Sequence, residues 1–232
     1  QGFGGKMELK QYEGASLKYI VVEPDNYDSN REYPLIVLLH GFGSHMGDLA
    51  GLAPSIDPSH YLYVCPNAPI SIDIGLGQVG YAWADLIRGT VEERNIQTDE
   101  AETSLVTVLE EVRADYRIAS VLVGGFSQGG MVTFDFALPR ANEFIGAFAL
   151  SSRLERPDSL VQRLSESREL PIFMSHGATD TVIPVIEARA AYQILESWGY
   201  APVYKEYPMG HEINADLIED LQLWISEQLG SM

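Results

Sequence analysis

An α/β fold, with a mainly parallel central sheet flanked by helices, is predicted by three observations. Short apolar runs recur along the chain and end abruptly at turns; stretches with helical spacing separate them; and one run, Ser120 to Met131, breaks off at a serine set between glycines. Strands that are apolar almost throughout suit a sheet buried on both faces, and their alternation with helices suits parallel crossovers. One domain over residues 1–232 is expected, because the length and the 46% hydrophobic content suit a single core and no internal repeat is seen.

Taken in order, Met7 to Glu13 and Leu17 to Glu23 flank the turn Gly14-Ala15-Ser16 and read as an N-terminal β-hairpin. Pro34 to Leu39 reads as a buried strand, and His40-Gly41-Phe42-Gly43-Ser44 follows it directly. Asp48 to Ile56 is read as the first helix, and Tyr61 to Cys65 as the next strand, ended by Pro66-Asn67-Ala68-Pro69. Ile70 to Gln97 has little periodicity and much glycine, a long excursion of the kind that shapes a binding site. Within it, Trp83 either lines a substrate pocket or packs the loop down.

Asp99 to Tyr116 reads as an amphipathic helix carrying Leu105, Val108, Leu109 and Val112 at helical spacing. Val121 to Val123 form a strand before the serine, and Met131 to Leu138 a helix after it. Phe144 to Leu150 is another strand; Arg153 to Glu169 is charged and loosely helical. Pro171 to Ser175 is a strand followed by the loop His176 to Pro184, then Pro184 to Trp198 a helix, Val203 to Tyr207 a strand and Ile213 to Leu229 the closing helix. No large lid domain is expected.

Composition narrows the function classes. A formal net charge of −18 repels phosphate backbones and anionic lipid surfaces, so nucleic acid is not expected as a partner. No run of eighteen uncharged apolar residues exists, which argues against a transmembrane segment. The single cysteine, Cys65, has no intrachain partner and reads as a buried thiol. His40, His45, His60, His176 and His211 show no metal-binding spacing, and there is no phosphate-cradling glycine loop, so neither a metal nor a cofactor is implied. The opening residues QGFGGKMELK lack an apolar h-region and read as a trimmed or tagged end, with a removed signal peptide left open. On this reading cytoplasm is favoured over secretion; a homodimer is left open, with no residue to support it.

Gly125-Phe126-Ser127-Gln128-Gly129 has the form G-x-S-x-G, a sharp strand-to-helix turn that lifts a serine hydroxyl above the sheet edge and aims the next amide at whatever it attacks. A serine hydroxyl needs an adjacent neutral imidazole to take its proton, and that imidazole needs a carboxylate to orient it. Ligands and catalysts gather beyond the carboxyl ends of strands in such sheets. Ser127, Asp180 and His211 all follow strands, in the order Ser, Asp, His. Asp158 is the alternative acid, and His40 reads as a brace for its loop. The Phe42 amide, in the loop after the Pro34 strand, is nominated with that of Gln128 to hold an oxyanion.

The stretches LIVLLHGFG, CPNAP, AWADL, GGFSQGGM, HGATDTVIP and MGHEI run nearly the length of the chain. In them the sequence resembles the phospholipase/carboxylesterase family of α/β-hydrolases, which includes bacterial carboxylesterases and acyl-protein thioesterases. The resemblance implies Ser127 as nucleophile, Asp180 as acid, His211 as base, and Phe42 and Gln128 as oxyanion amides. Ser44 departs from it, standing where many members carry an acidic residue. The expected activity is hydrolysis of short to medium acyl esters, small-molecule substrates, through an acyl-enzyme. Thioester or lysophospholipid hydrolysis with the same residues is the nearest alternative, and a non-catalytic binding module the more distant one.

Overall fold

The structure, a computed structural model, describes residues 6–230. The stretch read as a trimmed or tagged end falls partly on residues 1–5, outside the described residues. Strands and helices alternate in an α/β fold with a mainly parallel central sheet flanked by helices, as the sequence predicts. The chain divides into two compact units, residues 1–121 and residues 122–232.

In the first unit, β1 (Glu8–Glu13) and β2 (Lys18–Glu23) form the expected antiparallel hairpin, with Glu13 opposite Lys18. β2 pairs antiparallel with β4 (Leu62–Pro66), which pairs parallel with β3 (Tyr33–Leu39), giving the order β1-β2-β4-β3. All of β4 and all of β3 except Pro34 are buried, so neither strand has a polar face and both sequences are apolar runs.

Three expectations in this unit are corrected. The helix expected over Asp48 to Ile56 is two short ones, α1 (Met46–Ala50) and α2 (Ala53–Ile56). Pro54 explains the break, since proline tolerates the first turn of a helix but not its interior. The excursion from Ile70 contains an antiparallel hairpin, β5 (Ile70–Gly75) and β6 (Gln78–Ala82), in a sheet of its own. Its signal was the alternation Ile70, Ile72, Ile74 against Ser71 and Asp73. Finally, α3 (Val91–Asp115) begins well before Asp99. Thr90 and Glu93 form a capping box there, the hydroxyl accepting from the Glu93 amide at 3.2 Å and the carboxylate from the Thr90 amide at 2.7 Å.

In the second unit the strands β7 (Ile118–Phe126), β8 (Gly146–Leu150), β9 (Ile172–Gly177) and β10 (Val203–Tyr207) lie parallel in that order. The crossovers carry α4 (Gln128–Ala137), the one-turn α5 (Pro157–Leu160) and α6 (Val185–Ser197), and α7 (Ala215–Gly230) follows β10. Of the stretch expected to be loosely helical, Arg153 to Glu169, only α5 and a 3₁₀ turn at Val161–Arg163 are helical. It is tied down by charge instead: Asp135, buried in α4, accepts from Arg156 Nε at 2.8 Å and from an Arg163 guanidinium nitrogen at 3.0 Å. β9 extends to Gly177, so His176 belongs to the strand and not to the loop after it.

Candidate active site

Ser127 joins β7 to α4 with φ 56° and ψ −119°, a backbone conformation costly for any residue with a Cβ. Several bonds hold it there. Its amide donates to Leu150 O at 2.8 Å, and its carbonyl accepts from the Gly130 amide at 3.0 Å and from Ser152 Oγ at 2.9 Å. Gly130 is needed for this fit, because a Cβ there would collide with the Ser152 side chain. Gln128 is the first residue of α4, where helix N–H groups point out along the axis at the positive end of the dipole.

The acid and the base come from the loops after β9 and β10, and those loops are stapled together. Ala178 donates to Tyr207 O at 2.8 Å and Thr179 to Met209 O at 3.1 Å, while Thr179 Oγ1 donates to the same Met209 carbonyl at 2.9 Å. Gly177 lies against the Met209 and Gly210 carbonyls so closely that any side chain would displace them. His211 therefore arrives beside Asp180. His211 Nδ1 is 2.7 Å from Asp180 Oδ2, and its Nε2 is 2.9 Å from Ser127 Oγ. A carboxylate only accepts, so Nδ1 carries the proton and Nε2 is left to accept from the serine hydroxyl. The Phe126 ring packs on the imidazole with centroids 4.8 Å apart.

Asp180 is set as an anion. Burial works against its charge, but bonds from His211, from the Ile183 amide at 2.9 Å and from the Val182 amide at 2.8 Å outweigh it, holding the carboxyl below its usual range. Ser127 and Asp180 are buried, at 9% and 7% exposure, and the His211 side chain keeps 17%. A hydroxyl, an imidazole and a fixed carboxylate thus form one unbroken hydrogen-bond chain with its serine end next to a helix N-terminus. Such a chain can move a proton off the hydroxyl as it attacks. Asp158 lies in α5, and it is Asp180 that meets His211.

In the first unit, His40 braces its loop. It is fully buried, its Nδ1 faces Gly41 O at 2.8 Å, and its Nε2 accepts from the Ala68 amide at 3.0 Å. Burial pushes this imidazole down to about 4, so it is neutral near pH 7. Trp83 is completely buried and donates from Nε1 to His40 O at 2.9 Å, the loop-packing arrangement of the two expected for it. The loop after β3 is pinned to β6, Gly43 donating to Tyr81 O and Tyr81 to Ser44 O, both at 2.8 Å. Among the described residues the Phe42 amide meets no protein acceptor. Phe42 lines a cavity of about 320 Å³ with Ile70, Ile72, Ile74 and Ile87 and with the polar Ser71, Asp73, Asp85 and Arg88. Cys65 is buried, which pushes its thiol pKa up.

Among the described residues no group of three or more His, Cys, Asp or Glu is arranged to hold a metal ion, and no helix is long and apolar enough to cross a membrane.

Comparison with known proteins adds to this picture. The sequence profile of the phospholipase/carboxylesterase family matches residues 20–229. Acyl-protein thioesterase 1 of Saccharomyces cerevisiae is 31% identical over 213 residues, covering 84% of this chain and 93% of the yeast protein. The crystal structure of esterase PE8 superposes with a TM-score of 0.74 at 25% identity, covering 96% of this chain and 99% of the other. Acyl-protein thioesterase 2 of Zea mays, at 22% identity and a TM-score of 0.76, covers 91% of this chain and 99% of its own and shares the fold.

Proposed function

The chain belongs to the phospholipase/carboxylesterase family of hydrolases, and from that premise we propose that it is a serine carboxylic ester hydrolase working through an acyl-enzyme. The observation that carries this reading is the hydrogen-bond chain from Ser127 Oγ to His211 at 2.9 Å and on to Asp180 at 2.7 Å. His211 Nε2 takes the hydroxyl proton as Ser127 Oγ attacks the acyl carbonyl. Asp180 stabilises the imidazolium and keeps the imidazole in the tautomer that leaves Nε2 bare. The carbonyl oxygen becomes an anion, for which the amides of Phe42 and Gln128 are the assigned donors. Collapse of the intermediate expels the alcohol, which receives the proton from His211. Water, deprotonated by the same nitrogen, then attacks the acyl-enzyme and frees the acid and Ser127.

Short to medium acyl esters are the proposed substrates. A second reading, thioester hydrolysis, is favoured by the yeast relative's name and uses the same proton path. Turnover of p-nitrophenyl esters of increasing acyl length, beside a matched acyl thioester, tests both in wild type and Ser127→Ala. Removing the nucleophile should lower kcat by about 10⁴-fold or more. Ester turnover that survives in the alanine variant would overturn the assignment of Ser127, and a large preference for the thioester would move the second reading to first.

A further inference from the structure

A second imidazole lies against Asp180. His176, on β9, has no exposed surface, and its Nε2 is 2.7 Å from Ile183 O and 3.3 Å from Asp180 Oδ2. Both neighbours only accept, so Nε2 carries the proton. Nδ1 is buried without a hydrogen-bond partner, and a second proton there would be left unpaired away from water. The ring is thus placed as a donor through Nε2. The residue it grips also serves the acid, because the Ile183 amide donates to Asp180 Oδ1 at 2.9 Å. The turn from Asp180 to Ile183 is closed on the carboxylate at one point and pinned to β9 by the imidazole at the other.

We infer that His176 is a positioning residue for the acid: its Nε2–H anchors Ile183 and faces Oδ2, so that the carboxylate presents that oxygen to His211 Nδ1. An apolar side chain would fill the same space, but it would leave the Ile183 carbonyl without its donor and so loosen the turn whose amides hold the acid. The inference rests on the reading of Ser127, His211 and Asp180 as the proton path. His176 touches no reacting atom.

The test compares His176→Leu, which keeps bulk and removes the donor, with His176→Gln, whose amide nitrogen reaches close to the position of Nε2. Each is measured for kcat and KM on a p-nitrophenyl ester and for the low-field proton resonance of His211 Nδ1–H, beside wild type and Ser127→Ala. Outer-shell partners that orient metal ligands are typically worth about 10–100-fold in activity, and an effect of the same order is expected for one that orients the acid. The leucine variant should lose kcat by that much at unchanged KM, its His211 resonance should move or broaden, and glutamine should recover most of both. A folded leucine variant with wild-type kcat and an unmoved resonance overturns the inference, as does a loss that glutamine does not relieve. Should the leucine variant not fold, His176→Asn, whose amide is too short to reach Ile183 O, takes its place with the same expected loss. If wild type itself shows no turnover that depends on Ser127, the proposed function fails instead, and the resonance alone still decides the role of His176.

Discussion

Ser127 holds a backbone conformation that residues with a Cβ rarely adopt, at φ 56° and ψ −119°. Such strain costs about 1–3 kcal/mol where it occurs, so Ser127→Gly should raise the melting temperature while abolishing ester turnover; an unchanged or lower melting temperature would show that no strain is stored there. Asp180 acts through charge and orientation. Asp180→Asn should keep the fold and lower kcat by about 10⁴-fold, because the amide favours the wrong imidazole tautomer; steady-state kinetics with a circular dichroism control would check it. The positions of Ser127, Asp180 and His211 were legible in the sequence, since each follows a strand and the first sits in a pentapeptide with its own geometry. His176 was not, because its contact with Asp180 depends on which way one side of β9 faces. The brace made by His40 was foreseen, and for Trp83 the structure shows the loop-packing alternative.

At the scale of elements, the acid and base loops meet through backbone. Gly177 has no room for a Cβ against the Met209 and Gly210 carbonyls, so Gly177→Ala should cost about 1–3 kcal/mol by overpacking and lower kcat more than it raises KM, as read from urea unfolding and kinetics together. By contrast, Thr90→Ala removes one half of the α3 capping box and should cost about 1 kcal/mol with kcat unchanged. The buried strands could be read because burial on both faces forces an apolar run. The β5–β6 hairpin escaped because a two-stranded sheet buries little: Ile74, Leu76 and Val79 are exposed, and glycines interrupt the alternation. The start of α3 escaped for a different reason. Its first turns are charged and solvated, and the Thr90-x-x-Glu93 signal precedes any apolar periodicity.

Over the whole molecule, the pH dependence of stability follows from groups whose folded pKa is depressed. Burial brings His40 to about 4, below the ordinary imidazole value, so its contribution is complete above about pH 6.5 and is lost as pH falls towards 4. Glu206, bonded to Arg189, is held at about 2, and Asp180 is held below the usual range by its donors; their contributions are complete above about pH 4.5 and fade below it. All three act in one direction, so the urea midpoint at about 0.15 M salt, where repulsion among surface charges is largely screened, should fall between pH 7 and 5 and further by pH 4; a level midpoint would contradict this. The fold class was readable at this scale from strands alternating with helices. The shape of the excursion after Ile70, with its hairpin and the cavity beside Phe42, was not, because it depends on packing. The claim on which the functional account depends is that Ser127 becomes covalently acylated. Intact-mass and peptide mass spectrometry after a fluorophosphonate reagent tests it most directly. One adduct per chain on the peptide carrying Ser127, absent in Ser127→Ala and much slower to form in His211→Ala, is the predicted result; an unlabelled wild-type chain, or an adduct on any other residue, would contradict it.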